Sequence, residues 1–357
     1  MTSWHLVPRE TPSRAWIWLS PITAIVFTLI AGGVLFAAMG ASPLQGLNVF
    51  IVEPLASVRG WSELVLKATP LILCGVGLAV CFRANVWNIG AEGQLIAGAI
   101  VGGGIALLAT AESPRVWFVW VLLASMAGGA MWASITAWLR DRFNANEILV
   151  SLMLVYVAQQ LISWLVQGPW RDAAGYGFPQ SELFATAARV PVIVDGTRLN
   201  VGSACALLAA AAVWWTLART VIGFQLKVVG LAPLAAHYAG FSSRRSLWFA
   251  LLVSGSLAGL AGGLEVAGPI GQLTSTASPG YGFAAIIVAF VGRLHPGGIV
   301  LASLVMALFY LGGELAQSRL GLPSALTCVY QGMLLFFLLA CDTFVRYRVQ
   351  VRRAVTA

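Results

Sequence analysis

The residues with the greatest chemical capacity in this sequence stand together: Asn85, Trp87, Asn88, Glu92 and Gln94 fall within one short stretch between two long apolar runs. If that stretch is helical, Asn85, Asn88 and Glu92 share a face at i, i+3 and i+7. Gly90, Gly93 and Ala97 then form a second, small face suited to close packing. A carboxylate inside a membrane span costs roughly 2.5–3.5 kcal/mol on insertion scales, so it is held by a partner or kept for a purpose. Two readings follow: the carboxylate and amides bond a polar solute on its way through, or Glu92 ties neighbouring helix ends together. A second polar stretch, broken by Gly268, Gly271, Gly280 and Gly282 and carrying Tyr281 and Phe283, occupies the comparable place in the other half of the chain. Paired interruptions of this kind point to the path in repeat-built transporters. Trp87, Tyr281, Phe283 and Phe290 supply rings for stacking, unless they face lipid or the core, and Asn85, Asn88, Glu92 and Gln94 supply hydrogen bonds.

Other chemistries find no footing. The two lysines, Lys67 and Lys227, are not preceded by the glycine pattern of a phosphate-binding loop. HExxH and Gly-x-Ser-Gly patterns are absent. The expectation is a chain that is not itself an enzyme and binds no cofactor and no metal. Cys74, Cys81, Cys205, Cys328 and Cys341 lie in or at the ends of apolar runs, without metal-site spacing, and read as structural.

The elements that must position these residues are membrane helices. With 357 residues, 59% hydrophobic and 10% charged, and a mean hydropathy of +0.86, the chain departs from soluble domains, of which roughly 25% is charged. Apolar runs of about 20 residues, enough to span a bilayer as helix, recur along nearly all of it. The expected fold is all-α, a polytopic transmembrane bundle of about nine to ten helices, with residues 1–357 as a single membrane domain. The first run, after Arg9 and Arg14, is too long for a signal peptide and reads as a retained helix. Phe283–Val291 is only about half a span, and counting it as a crossing puts both termini in the cytoplasm. Lys67 reads most simply as a snorkelling side chain, and Glu63, at i, i+4, is placed to pair with it.

Charge sets the orientation. Residues 219–245 carry Arg219, Lys227, Arg244 and Arg245 and no acid, which keeps them in the cytoplasm. Residues 167–200 are balanced in charge and rich in glycine and proline, which suits an extracytoplasmic loop. The net charge of +8 reflects this topology and the basic tail Arg346, Arg348, Arg352 and Arg353, an anchor at the membrane surface. Nucleic acid is not an expected partner. Within the basic loop Gly230 opens a segment where Pro233 suits a first helical position and Gly240 a left-handed cap. Between them Ala235, Ala236, His237 and Tyr238 make a helix too short to be stable in water unless something packs on it.

The pattern Gly230-x-x-Pro233-x-Ala235-Ala236-x-x-Ala239-Gly240 resembles the coupling loop of ABC-importer permeases. The run Asn88-Ile89-Gly90-Ala91-Glu92-Gly93-Gln94 resembles the signature of the nucleoside and simple-sugar ABC importer permeases, related to the branched-chain amino-acid permeases. So do Gly168-Pro169-Trp170-Arg171, Gly175-Tyr176-Gly177-Phe178-Pro179-Gln180, Gly280-Tyr281-Gly282-Phe283 and Gly292-Arg293-Leu294-His295-Pro296. The resemblance implies a type II-like importer permease in a bacterial cytoplasmic membrane. Its partners would be a second permease, an ATP-binding subunit that uses the ATP, and an extracytoplasmic substrate-binding protein. Nucleosides are the expected solute, with a monosaccharide or branched-chain amino acid as alternative cargo on the same machinery. An ion-coupled secondary transporter using Glu92 is the reading from another class.

Overall fold

The apolar runs become helices in the computed structural model, which describes residues 2–9, 13–175 and 177–353. Tyr176 lies outside these residues. In chain order the elements are β1 (Thr2–Pro8), α1 (Arg14–Ala38), α2 (Pro43–Leu47), α3 (Glu53–Leu55), α4 (Val58–Arg83), α5 (Ala91–Leu107), α6 (Trp117–Phe143), α7 (Glu147–Gln167) and α8 (Val201–Arg219). There follow α9 (Val221–Leu231), α10 (Pro233–Tyr238), α11 (Ser243–Glu265), α12 (Tyr281–Val291), α13 (Pro296–Leu320), α14 (Leu326–Arg346) and β2 (Tyr347–Arg353). Among the described residues eight helices are long and apolar enough to cross a membrane. The protein is an all-α, multi-pass membrane protein.

Two compact units divide the chain: residues 1–57 with 308–357, and residues 58–307. In the first, α1 packs on α14, with Trp16 against Phe344 and Phe27 against Phe337, and the Ser20 hydroxyl donates to Asp342 at 2.6 Å. The tail read as a surface anchor has strand backbone: β2 pairs antiparallel with β1, Thr2 opposite Arg353 and Pro8 opposite Tyr347. Paired termini must lie on one side of a membrane.

In the second unit α4 is the central helix, nearly all of its apolar stretch buried, with α8, α11 and α12 packed on it. Around it α5, α6 and α11 approach to backbone contact. A Cβ on Gly98 would strike the Gly259 backbone, and one on Gly129 would strike Gly255 and Gly259. Small residues permit this approach, which is how helices associate where lipid removes the hydrophobic drive between them.

Helix ends obey local rules. Arg140 and Arg142 stand in the last turn of α6, where cations favour the dipole. Asn144 then turns left-handed at φ 51°, and the Asn146 side chain caps α7 by accepting from Ile148 N at 2.9 Å. Asn200, Thr220 and Ser242 cap α8, α9 and α11 in the same way.

Two expectations need correction. The stretch from Asn85 becomes helical only at Ala91, so Asn85, Asn88 and Glu92 do not share a helix face. Residues 219–245 are largely helical, as α9 and α10, rather than a loop with one short helix. Glu63 is gripped by Arg198, which donates to its two oxygens at 2.8 and 2.6 Å, a guanidinium fork that matches the carboxylate. The short run is confirmed as short: α12 has 11 residues, a rise of about 16 Å against a hydrocarbon core of about 30 Å.

Candidate functional site

Beyond Arg83 the chain leaves the helix through Asn85, whose φ of 56° is left-handed, and runs irregularly to Gly90. Such backbone is tolerated at membrane depth only when buried in protein or facing water. Asn88 supplies the compensation. Its amide donates to Gln94 Oε1 and to Ser254 Oγ, each at 3.0 Å, and its oxygen accepts from Gly90 N at 3.1 Å and Gln94 Nε2 at 3.0 Å. The node stitches the start of α5 to α11. Asn88 and Gln94 are buried and bonded to each other.

Glu92 is also buried, 1% exposed. Its Oε2 accepts from the backbone N–H of Gly282 at 2.6 Å. Next to it Ser278 Oγ accepts from Gly280 N at 3.3 Å and Tyr281 N at 3.2 Å. The N-terminus of α12 is thus capped jointly by its own serine and by a carboxylate from α5. Because Glu92 also lies in the first turn of α5, it sits at the positive ends of two helices, and that field offsets its burial. Gly282 is required here, since a Cβ would land on the backbone of Glu92.

The seven residues expected along the path fall into two sets. Asn88, Glu92, Gln94 and Tyr281 are buried, the first three around the start of α5 and Tyr281 beside Glu63, Lys67 and Arg198 at a small cavity of about 90 Å³. Asn85, Trp87 and Phe283 are exposed. Trp87 joins Phe82 and Phe290 in a ring cluster, with centroids 5.3 Å and 6.3 Å away.

A cleft that sequence reasoning missed lies beside the node. It measures about 350 Å³ and is walled by Gln159, Gln160 and Ser163 of α7 and by Ser275, Thr276 and Ser278. The signal was present as Tyr156, Gln159, Gln160, Ser163 and Gln167, spaced i, i+3, i+4, i+7 and i+11 along an otherwise apolar span.

On the α9–α10 element, α10 starts with Pro233 at its first helical position and closes in a Schellman motif. Gly240, at φ 80°, donates to His237 O at 3.0 Å, and Phe241 N donates to Ala236 O at 2.9 Å. Ala236 is wholly buried and faces inward, so it is no part of an exposed surface. Outward stand Pro233, Ala235, His237 and Gly240, and with them Leu231, Leu234 and Tyr238, 76%, 80% and 92% exposed. Gly230 points to α4, where a Cβ would strike the carbonyl oxygen of Arg83.

Residues 168–200 are sewn to the stretch after α11. Ser181 N donates to Leu273 O, Phe184 N to Gly271 O and Val190 N to Ala267 O, each at 2.9 Å. With Arg198 on Glu63, they form a strap fixed at several points.

The family model for the branched-chain amino acid transport system permease component matches residues 60–339. A glucose ABC transporter permease protein of Haloferax volcanii is 36% identical over 97% of this chain and 93% of its own length. A guanosine ABC transporter permease protein of Bacillus subtilis is 30% identical over 89% of this chain and 92% of its own. A nucleoside ABC transporter permease protein of Lactococcus lactis is 29% identical over 90% of each. The chain belongs to the family of branched-chain amino acid transport system permease components.

Proposed function

We propose that this chain is the permease subunit of an ATP-driven nucleoside importer, forming the translocation path together with a second permease. The observation that carries the reading is the seat of Gly230. Its α9 backbone rests on the carbonyl of Arg83, immediately before the irregular segment that leads to Asn88. A push on the exposed face of α9–α10 is therefore delivered to the segment leading into the buried node. Two relatives named for nucleoside or guanosine transport, aligned nearly end to end, support the cargo.

In this reading a separate ATP-binding subunit docks on Leu231, Leu234 and Tyr238 with the neighbouring Pro233, Ala235 and His237. An extracytoplasmic binding protein meets the strap at residues 168–200. The chain lies in a bacterial cytoplasmic membrane with its paired termini in the cytoplasm. Asn88, Glu92 and Gln94 serve the path by fixing its walls, while Asn85, Trp87 and Phe283 are the members of the expected set that a solute can touch.

The 36% identity to a glucose permease protein favours one second reading, a monosaccharide cargo. Uptake of labelled uridine, guanosine, glucose and leucine by cells with and without the chain decides between them. Chain-dependent uptake of the nucleosides is expected, and chain-dependent uptake of glucose alone would replace the cargo.

A further inference from the structure

We infer that the cleft between α7 and residues 275–278 is a solute subsite for a neutral, polyhydroxylated ring compound of nucleoside size, and not for a zwitterionic amino acid. The inference rests on the permease reading and adds to it a site and a chemical class.

The cleft, about 350 Å³, falls in the range of small-molecule sites. Its polar wall is made of amides and hydroxyls, Gln159, Gln160 and Ser163 facing Ser275, Thr276 and Ser278, and none of its lining residues is charged. Amides and hydroxyls both donate and accept, so they match the ribose hydroxyls and base edges of a nucleoside. An ammonium or carboxylate entering the same space would leave water without gaining a counter-charge, which is the unfavourable case for any ion in a membrane domain.

Tyr156 lies at the rim with its ring largely exposed, a surface on which a base can stack. Gln159 and Gln160 are exposed on a helix apolar enough to span the bilayer. Two amides on such a helix are badly placed against lipid and well placed against a wet path. The opposite wall is held in register by Glu92, because Ser278 both lines the cleft and caps the α12 end that Glu92 also binds.

The test uses the complete importer in proteoliposomes, with Gln159→Leu and Thr276→Val as separate variants. Each keeps the size of the side chain and removes its hydrogen bonds at an exposed position. The KM for labelled uridine should rise about 3- to 10-fold, the loss of one or two neutral hydrogen bonds. Co-elution of the second permease should not change. In a Gln159→Cys chain lacking the native cysteines, uridine should slow labelling by a maleimide, and leucine should not.

A KM within twofold of the parent for both variants, with uptake still dependent on the chain, would overturn the inference and leave the permease reading standing. Protection by leucine would do the same. Loss of the second permease from either variant would mark the stripe as a subunit interface and also overturn it. Uptake that no longer needs the chain would remove the permease reading and this inference with it.

Discussion

Asn88 and Glu92 show how two polar side chains organise a region that lipid would otherwise forbid. Asn88 uses its donors and acceptor within the protein, so Asn88→Ala leaves buried groups on Gln94 and Ser254 without partners. Each such group costs about 1–3 kcal/mol. The purified variant should melt at a clearly lower temperature than the parent, and an unchanged melting temperature would mean that the node does not hold α5 to α11. Glu92→Gln keeps an acceptor oxygen for Gly282 but removes the charge at two helix N-termini, a loss of about 0.3–2 kcal/mol. Transport should fall while protein abundance in the membrane holds. Normal transport by Glu92→Gln would limit the residue to a tie between helices. The importance of these residues was legible in the sequence, because polar groups between apolar runs need a reason. Their geometry was not, since the irregular backbone before Ala91 is stabilised by Ser254, 166 positions away. Likewise the Arg198 that grips Glu63 stands 135 positions away.

Among the elements, the α9–α10 pair presents an exposed apolar face. A six-residue helix contributes little by itself, yet it is closed by a full Schellman motif and presents Leu234 and Tyr238 almost bare. Leu234→Arg should leave the membrane helices intact and abolish co-elution of the ATP-binding subunit. Retention of that subunit would move the docking face elsewhere. The same substitution at Ala236 is a poor probe, because that side chain is buried and a charge there would disrupt α10 itself. Gly230→Ala separates the two roles of the element: docking should persist, but the added methyl meets Arg83 and should uncouple ATP hydrolysis from uptake. Coupled uptake in Gly230→Ala would show that force does not pass through this contact. From the sequence, Pro233 and Gly240 marked both ends of α10. The helical state of residues 221–231 was missed because the basic, acid-free composition was read as loop, and the inward turn of Ala236 was missed because one short helix has no visible partner in sequence. The stripe on α7 was legible in its spacing and was passed over in favour of the denser cluster at Asn85–Gln94.

At the scale of the whole molecule, the run of apolar segments was enough to give an all-α membrane protein, and the charge asymmetry supports the proposed orientation with residues 219–245 in the cytoplasm. The backbone pairing of β1 with β2 adds an independent constraint, since paired termini require an even number of crossings. In a background lacking native cysteines, Ala174→Cys should react with an impermeant reagent in intact cells and Ser243→Cys only after the cells are opened. Reaction of Ser243→Cys from outside would invert the topology. The central claim is that transport through this chain is driven by ATP on another subunit and not by an ion gradient acting on Glu92. The most direct measurement is uptake of labelled uridine into proteoliposomes holding this chain and the second permease, with binding protein outside, assembled with and without the ATP-binding subunit. Uptake is expected only when that subunit and ATP are present on the side of α10, with no effect of dissipating proton or sodium gradients. Gradient-driven uptake in its absence, collapsed by an ionophore, would contradict it.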